Sequence, residues 1–489
     1  MASIESEIEA GQVPVREGEY GTRVVAVEPG GIEYIPERER HGNPLQLFWT
    51  WMSPNLEFAT VFVGVIPIVV FGGGFWPTVI AVTLGIGLGS VTHAILSTWG
   101  PRFGVPQLVQ SRGAFGFLGN ILPAGLQSIT AGIGWYAVNS VAAAFALQSL
   151  FGLLGWPPLP FELGLLVVVL AQVAAAFLGH NMVHQFERVL VPYLAVVFAL
   201  ATILILAHAN PGQGFNPGAP VPFGGPSAAF LIAMSIAFGY VIGWNPYASD
   251  YTRYLRRETS PLKIALAAGG GMFVANVVLM VMGAALATVA GTKWGPKDIP
   301  TDQLLVPLPT WLAALTLLGI AVGSVAANAI NIYSSAISFL ALGVRWSFRQ
   351  RRAAVALATG VLGFVVALIG RTAPGSTYEY FLLLIAYWIA PFLGVVLTDY
   401  WLRGGRYDEA IFFDRRHRPW AGIVSMLLGI AASVPFWNQA VFVGPVPRAV
   451  PGVGDLSFFV GFAVAAVVYA LLNLGLRRRS GSEEAVATG

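Results

Sequence analysis

The stretch AAFLIAMSIAFGYVIGWNPYASDYTRYL, residues 228–255, runs eighteen uncharged residues into a proline and then into a polar, basic exit. Eighteen helical residues rise only about 27 Å, short of the ~30 Å hydrocarbon core of a bilayer. A membrane-crossing reading therefore places Pro246 inside the bilayer. Proline removes a backbone donor and clashes with the carbonyl four residues back, so a break is expected at that depth.

The membrane reading itself follows from composition. Of 489 residues, 56% are hydrophobic and 10% charged, and mean hydropathy is +0.70. Such a chain cannot cover a water-soluble surface with charge. The expected class is an all-α polytopic membrane protein, in which 57 glycines and 32 prolines are tolerated where neighbouring helices or cavities satisfy the backbone. Cysteine is absent, which excludes disulfides, thiolate metal sites and a cysteine nucleophile. No nucleic-acid-binding module is visible, and neither cofactor nor metal is expected.

Twelve transmembrane helices are expected at about 45–71, 76–98, 120–150, 161–179, 189–208, 226–247, 262–290, 309–342, 352–370, 377–402, 419–437 and 456–476. The first 44 residues hold nine acidic and four basic residues and no apolar core, so this arm is expected to be retained, cytoplasmic and mobile. With that count, 23 of the 27 Lys and Arg fall on one side of the membrane and 4 on the other. By the positive-inside rule both termini face the cytoplasm, as expected in the cell membrane. The division is an arm at 1–44, a core at 45–404 comprising spans one to ten, a basic loop at 405–418, spans eleven and twelve at 419–476, and a cytoplasmic tail at 477–489. The basic segments TRYLRR, RWSFRQRR and LRGGRYDEAIFFDRRHR are explained by topology alone.

Span one, LFWTWMSPNLEFATVFVGVIP, repeats the feature of span six, a proline beside an asparagine inside an apolar run. Paired interruptions in corresponding positions of two halves point to a midplane binding site in a transporter. The bland alternative is a pair of packing kinks. Glu57, just past Pro54 and Asn55, is the one acid deep inside a span, whereas Glu162, Asp250, Glu379 and Asp399 lie nearer span ends. An intramembrane acid is functional by default, able to carry a proton or donate a hydrogen bond. Asp250, with Arg253, is expected to fix the loop.

In span three Trp135 and Asn139 are four apart and share a helical face, offering a π surface and an amide edge. In span eight Ser324, Asn328, Asn331 and Ser335 form one polar stripe. Neutral amides suit a neutral hydrogen-bonding ligand, and no Lys or Arg lies in the interior of a span. Each pattern is equally compatible with interhelical glue. The pair His180 and His184 reads as a helix end, and GIGLGS (85–90) as helix packing, because a phosphate loop needs a preceding strand.

Three motifs, NPLQLFWTWMSPNLEFAT (43–60), GWNPYASDYTRYL (243–255) and IAPFLGVVLTDYWL (389–402), resemble the nucleobase:cation symporter family of purine/cytosine permeases and allantoin and hydantoin transporters. The resemblance runs from about residue 43 to the end. It implies the LeuT-type fold, a 5+5 inverted repeat with two peripheral helices, and a small-molecule nucleobase bound between spans one, three, six, eight and ten. It also implies substrate contacts from Glu57, Trp135, Asn139, Asn331 with Asn328, and a span-six aromatic that is either Tyr240 or Trp244. Sodium-coupled relatives use carbonyls that match Ser53 and Leu56 plus two span-eight hydroxyls, which fall here on Val325 and Ala326. With those hydroxyls missing, a proton is expected as the coupling cation, unless Ser324 replaces them. The implied function is import of cytosine or a purine, with allantoin, hydantoin or a vitamin as the alternative. A membrane-embedded enzyme lacks a nucleophile–base pair or ligand cluster. The oligomeric state and the exact base are left open.

Overall fold

The computed structural model describes residues 31–178, 180–219, 224–295, 298–343, 348–439 and 441–474, with side chains not described at 176–189 and 348–354. The tail at 477–489, the first three residues and all the side chains of RWSFRQRR, and the side chains of His180 and His184 lie outside that set. Among the described residues the protein is helical, without a β-strand. Among the described residues seven helices are long and apolar enough to cross a membrane, eight if the bent pair Pro44–Asn55 and Phe58–Val69 counts as one span, and four shorter apolar helices, at Phe161–Ala175, Val355–Gly370, Ala421–Phe436 and Ser457–Leu472, accompany them.

In chain order the elements that matter are α1 (Pro44–Met52), α2 (Phe58–Val69), α3 (Phe75–Ser97), α4 (Ile121–Leu153), α5 (Phe161–Leu178), α6 (His180–His208), α7 (Pro226–Ile242), α8 (Ala248–Thr252), α9 (Pro261–Ala287), α10 (Thr310–Ala341), α11 (Phe348–Gly370), α12 (Pro374–Leu402), α13 (Ala421–Ser433) and α14 (Ser457–Leu472). α7 runs along α3 and α12, α9 crosses α1, α2 and α3, α10 lies on α4, and α12 packs on α14. Small residues make the closest approaches. A Cβ on Gly85 would stand 2.3 Å from the Met234 carbonyl and one on Gly89 2.8 Å from Val241, so GIGLGS is the seam between α3 and α7.

The two interruptions differ. Between α1 and α2 the axis bends by 59°, because Leu56 (φ −82, ψ 66) and Glu57 (φ −146, ψ 166) leave the helical region. Between α7 and α8 no residue leaves it. Gly243 and Trp244 stay right-handed and a 3₁₀ turn at Asn245–Tyr247 carries the chain on. Pro246 sits at the start of that turn, where its fixed φ fits and its missing N–H costs least. Span six is thus tightened rather than broken.

A second difference concerns the arm. From Gly31 onward it packs against helix ends, with Tyr34, Ile35 and Arg40 buried. Ile35 N–H donates to the Gly104 carbonyl (3.0 Å), and Arg40 donates to the carbonyls of Ile35 (2.9 Å) and Pro101 (2.5 Å). Arg253 Nη1 donates to Gly31 O (2.8 Å), and Arg257 N–H to Glu37 Oε1 (2.8 Å). Gly104 ends the short helix Trp99–Phe103 at φ +63, where a Cβ would also strike the Arg40 guanidinium at 2.2 Å. The arm's charge suggested solvation, but backbone carbonyls at helix ends are partners for an arginine. Arg40→Ala strips two carbonyls of a donor, so tryptic cleavage after Arg38 is expected to quicken about tenfold through local opening. An unchanged rate would mean that Arg40 does not hold the segment.

Asp250 and Arg253 do meet at that end, through backbone groups. Asp250 Oδ1 accepts the Gln107 N–H (3.1 Å), and Arg253 Nε donates to the Asp250 carbonyl (3.3 Å).

Candidate functional site

Glu57 follows the interruption of span one and is extended at the N-cap of α2 without capping it, so its carboxyl turns toward α4 and α7. The interruption satisfies itself locally. Asn55 Nδ2 donates to the Trp51 carbonyl (2.7 Å), and Thr60 Oγ1 donates to the Asn55 carbonyl (2.7 Å). The Glu57 side chain is 1% exposed. Burying an acid at that depth demands specific partners.

Those partners come from two other helices, and a third continues the network. Tyr240 OH of α7 donates to Glu57 Oε1 (3.2 Å) and also contacts Thr60 Oγ1 (2.6 Å). One terminal atom of the Asn139 amide lies 3.2 and 3.0 Å from the two Glu57 oxygens, and the other lies 3.1 Å from Asn328 Oδ1. Asn331 Nδ2 donates to the same Asn328 oxygen (3.2 Å), while Asn328 Nδ2 donates to the Tyr136 carbonyl (3.0 Å). A continuous polar line therefore runs from α2 through α4 to α10.

The aromatic wall stands beside it. α4 is wound as a π-helix over Thr130–Trp135, a local widening often found at functional sites, and Trp135 is its last residue. Its ring is edge-on to Tyr240 (centroids 5.0 Å, 83°) and nearly parallel to Trp244 (6.5 Å, 15°). Both span-six aromatics thus reach Trp135, while Tyr240 is the one bonded to Glu57. Gln127 Nε2 donates to the Gly243 carbonyl (3.4 Å), tying α4 to the tightened turn.

The span-eight stripe divides. Asn328 and Asn331 join the network, whereas Ser335 pairs with Ser128 of α4 as helix glue. The Ser324 hydroxyl is buried and has no hydrogen-bond partner. The Ser53 carbonyl accepts from Leu56 N–H (3.1 Å), and the Leu56 carbonyl faces Gly323 on α10. Among the described residues no group of three or more His, Asp or Glu converges as a metal site.

Several neighbours were missed by reading the sequence. Thr60 lies three residues past Glu57 on the same face. Tyr378 and Phe381 of α12 close over Trp135 at 6.3 and 5.2 Å, both edge-on. His93 Nδ1 lies 3.2 Å from Asn245 Oδ1, and its ring meets the edge of Trp51 at 4.1 Å. Only Thr60 carried a signal, its helical spacing from Glu57.

Comparison with known proteins matches this arrangement to one group. Residues 34–461 fit the family model described as "Permease for cytosine/purines, uracil, thiamine, allantoin". The chain is 29% identical over 476 residues to the Bacillus subtilis protein YxlA, covering 94% of this chain and 99% of that one. It is 27% identical over 463 residues to the purine-cytosine permease FcyB of Emericella nidulans, covering 91% and 88%. Among solved structures, Mhp1, a nucleobase-cation-symport-1 family transporter in a closed conformation with bromovinylhydantoin bound, superposes with a TM-score of 0.72 at 18% identity, over 93% of this chain and 96% of that one. MhsT, solved with L-phenylalanine, superposes at 0.54, which places the helices in the same fold group. The chain belongs to the cytosine/purine permease family, a family of membrane transporters and not of enzymes.

Proposed function

We propose that this protein imports a neutral nucleobase, cytosine or a purine, across the cell membrane together with a proton, by alternating access about Glu57, Trp135, Asn139, Tyr240, Trp244, Asn328 and Asn331. In this reading all twelve apolar stretches cross the membrane, ten of them as a 5+5 inverted repeat, and both termini are cytoplasmic. Exposed tryptophans support the topology. Trp76, Trp156 and Trp311 lie at the ends assigned outside, and Trp49, Trp401 and Trp420 at the ends assigned inside, as interfacial belts require.

The proton count around Glu57 carries the coupling proposal. With an ionised Glu57, Tyr240 and Asn139 both donate to it. Thr60, whose one hydrogen goes to the Asn55 carbonyl, then faces Tyr240 oxygen to oxygen, and the Asn139 oxygen faces Asn328 Oδ1. A carboxylate leaves two such contacts without a hydrogen, and a carboxylic acid leaves one. The surroundings therefore favour an acid that holds a proton when the site is closed. Val325 and Ala326 offer no hydroxyl to a cation. The unpartnered Ser324 hydroxyl favours the second reading, in which sodium binds with the Ser53 and Leu56 carbonyls.

The ring site follows from the indoles. A flat heterocycle between two aromatic faces needs about 7 Å, twice the ~3.5 Å of van der Waals contact. The Trp135 and Trp244 ring centroids lie 6.5 Å apart with their planes 15° from parallel, which makes these two indoles the pair placed to flank such a ring. Trp135→Leu is expected to weaken nucleobase binding about five- to twentyfold in equilibrium binding, the part of a base–aromatic stack that an aliphatic side chain cannot replace. Unchanged affinity would remove Trp135 from the site.

Uptake of labelled cytosine, adenine, hypoxanthine, uracil and allantoin into cells expressing the protein tests the substrate class. Saturable uptake of cytosine or a purine supports the proposal, and uptake of allantoin alone would transfer the site to the alternative. A relative 24% identical over 397 residues is the vitamin B6 transporter TPN1 of Saccharomyces cerevisiae, which makes pyridoxine the sixth compound to include.

A further inference from the structure

We infer that Tyr378 of α12 is a substrate contact that sets specificity, its hydroxyl donating to a ring carbonyl of the bound base. The inference rests on the nucleobase reading above and deepens it.

Three observations place Tyr378 in the site. Its ring is edge-on to Trp135 (6.3 Å, 83°) and lies flat against Phe62 of α2 (6.3 Å, 3°), so it bridges the helix that carries the proposed stacking residue and the helix that begins after Glu57. Its hydroxyl is buried and has no hydrogen-bond partner. The phenol lies within electrostatic reach of Tyr240 and Glu57. A packing tyrosine at this place would serve as well without its oxygen.

A buried hydroxyl without a partner is costly, and so the group is held for something that arrives. On α10 the Ser324 and Ser334 hydroxyls and Asn331 Oδ1 are also buried and unpartnered, and of these Asn331 belongs to the polar line that starts at Glu57. Asn331 Oδ1 and the Tyr378 hydroxyl are chemically complementary. The amide oxygen can only accept, so it asks for an N–H, and the phenol is best used as a donor, so it asks for a carbonyl. An N–H and a C=O on one planar ring is the lactam edge of an oxo-bearing base. Tyr378 and Asn331 are both buried, which makes each of these bonds count more than in solvent.

The test is a comparison of ligand pairs that differ by the carbonyl. Affinities of hypoxanthine against purine, and of cytosine against 4-aminopyrimidine, are measured on the purified protein and on Tyr378→Phe, which keeps the ring and its stacking on Phe62. The expected result is a five- to tenfold loss for the oxo-bearing member that binds, the range of one buried hydrogen bond, with no loss for its carbonyl-free partner. Discrimination within the pair then collapses. An equal loss for both members would mean that the tyrosine only packs, and no loss for either would mean that the hydroxyl faces elsewhere; each outcome overturns the inference. If the unaltered protein binds none of the four compounds and no other base, the nucleobase reading fails first and this assignment falls with it; binding of adenine alone would leave that reading standing and overturn the carbonyl contact.

Discussion

Glu57→Gln abolishes proton-driven accumulation while leaving substrate binding in place. Glutamine imitates the protonated acid. Its Nε2 can donate to the Asn139 oxygen, and its Oε1 can accept from Tyr240. The hydrogen bonds survive and the exchangeable proton does not. Across about 100 mV one coupled charge is worth ~2.3 kcal/mol, which sustains a concentration ratio of about fifty. The steady-state ratio of labelled base, inside over outside, is therefore expected to fall from as much as about fifty to about one, while counterflow exchange in de-energised vesicles continues. Accumulation that persists in the glutamine variant would show that another group carries the coupling ion.

Gly283→Val is expected to remove the folded protein altogether. α2 and α9 cross so closely that a Cβ on Gly283 would stand 1.8 Å from the Val61 carbonyl, and one on Gly64 1.8 Å from the Met280 carbonyl. Backbone on the other side cannot move aside as a side chain can. Overpacking a tight core commonly costs about 1–3 kcal/mol, and a clash with main chain on a helix carrying the site belongs to the rarer class above about 4 kcal/mol. A monodisperse peak in detergent size-exclusion chromatography should drop at least tenfold for Gly283→Val. Gly87→Ala is the control, since its Cβ meets only the Phe273 ring edge at 3.8 Å. Equal yields of the two variants would mean that the crossing is looser than described.

Much of this was legible in the sequence because the physics is local. Long apolar runs mark where the chain can cross a bilayer, and the placement of Lys and Arg carries the expectation of which ends face inward. Glu57 stood out because an acid in such a run has no cheap explanation, and Trp135 with Asn139 because four-residue spacing puts them on one face. Other features are not local. Pro246 looked like a break equal to Pro54, yet only Leu56 and Glu57 depart from helical geometry. The difference lies in how the turn at Asn245–Tyr247 is held, through Gln127 on α4 and through Asn245 itself, whose Nδ2 donates to Thr92 on α3. The π turn before Trp135 has no signature among ordinary helix formers. Tyr378 and Phe381 are unremarkable aromatics in an apolar run until α12 folds over α4. The arm before residue 44 read as solvated from its charge, and the burial of Arg40 became visible only with the carbonyls that receive it.

The central claim is that a nucleobase and a proton move together. Purified protein in sealed liposomes, given an inward proton gradient in sodium-free buffer, is the direct test. The account predicts concentrative uptake of the base that binds, equal in choline and sodium, and collapsing with a protonophore. Uptake that needs an inward sodium gradient and ignores pH would contradict it, and would move the cation to the Ser53 and Leu56 carbonyls beside Ser324.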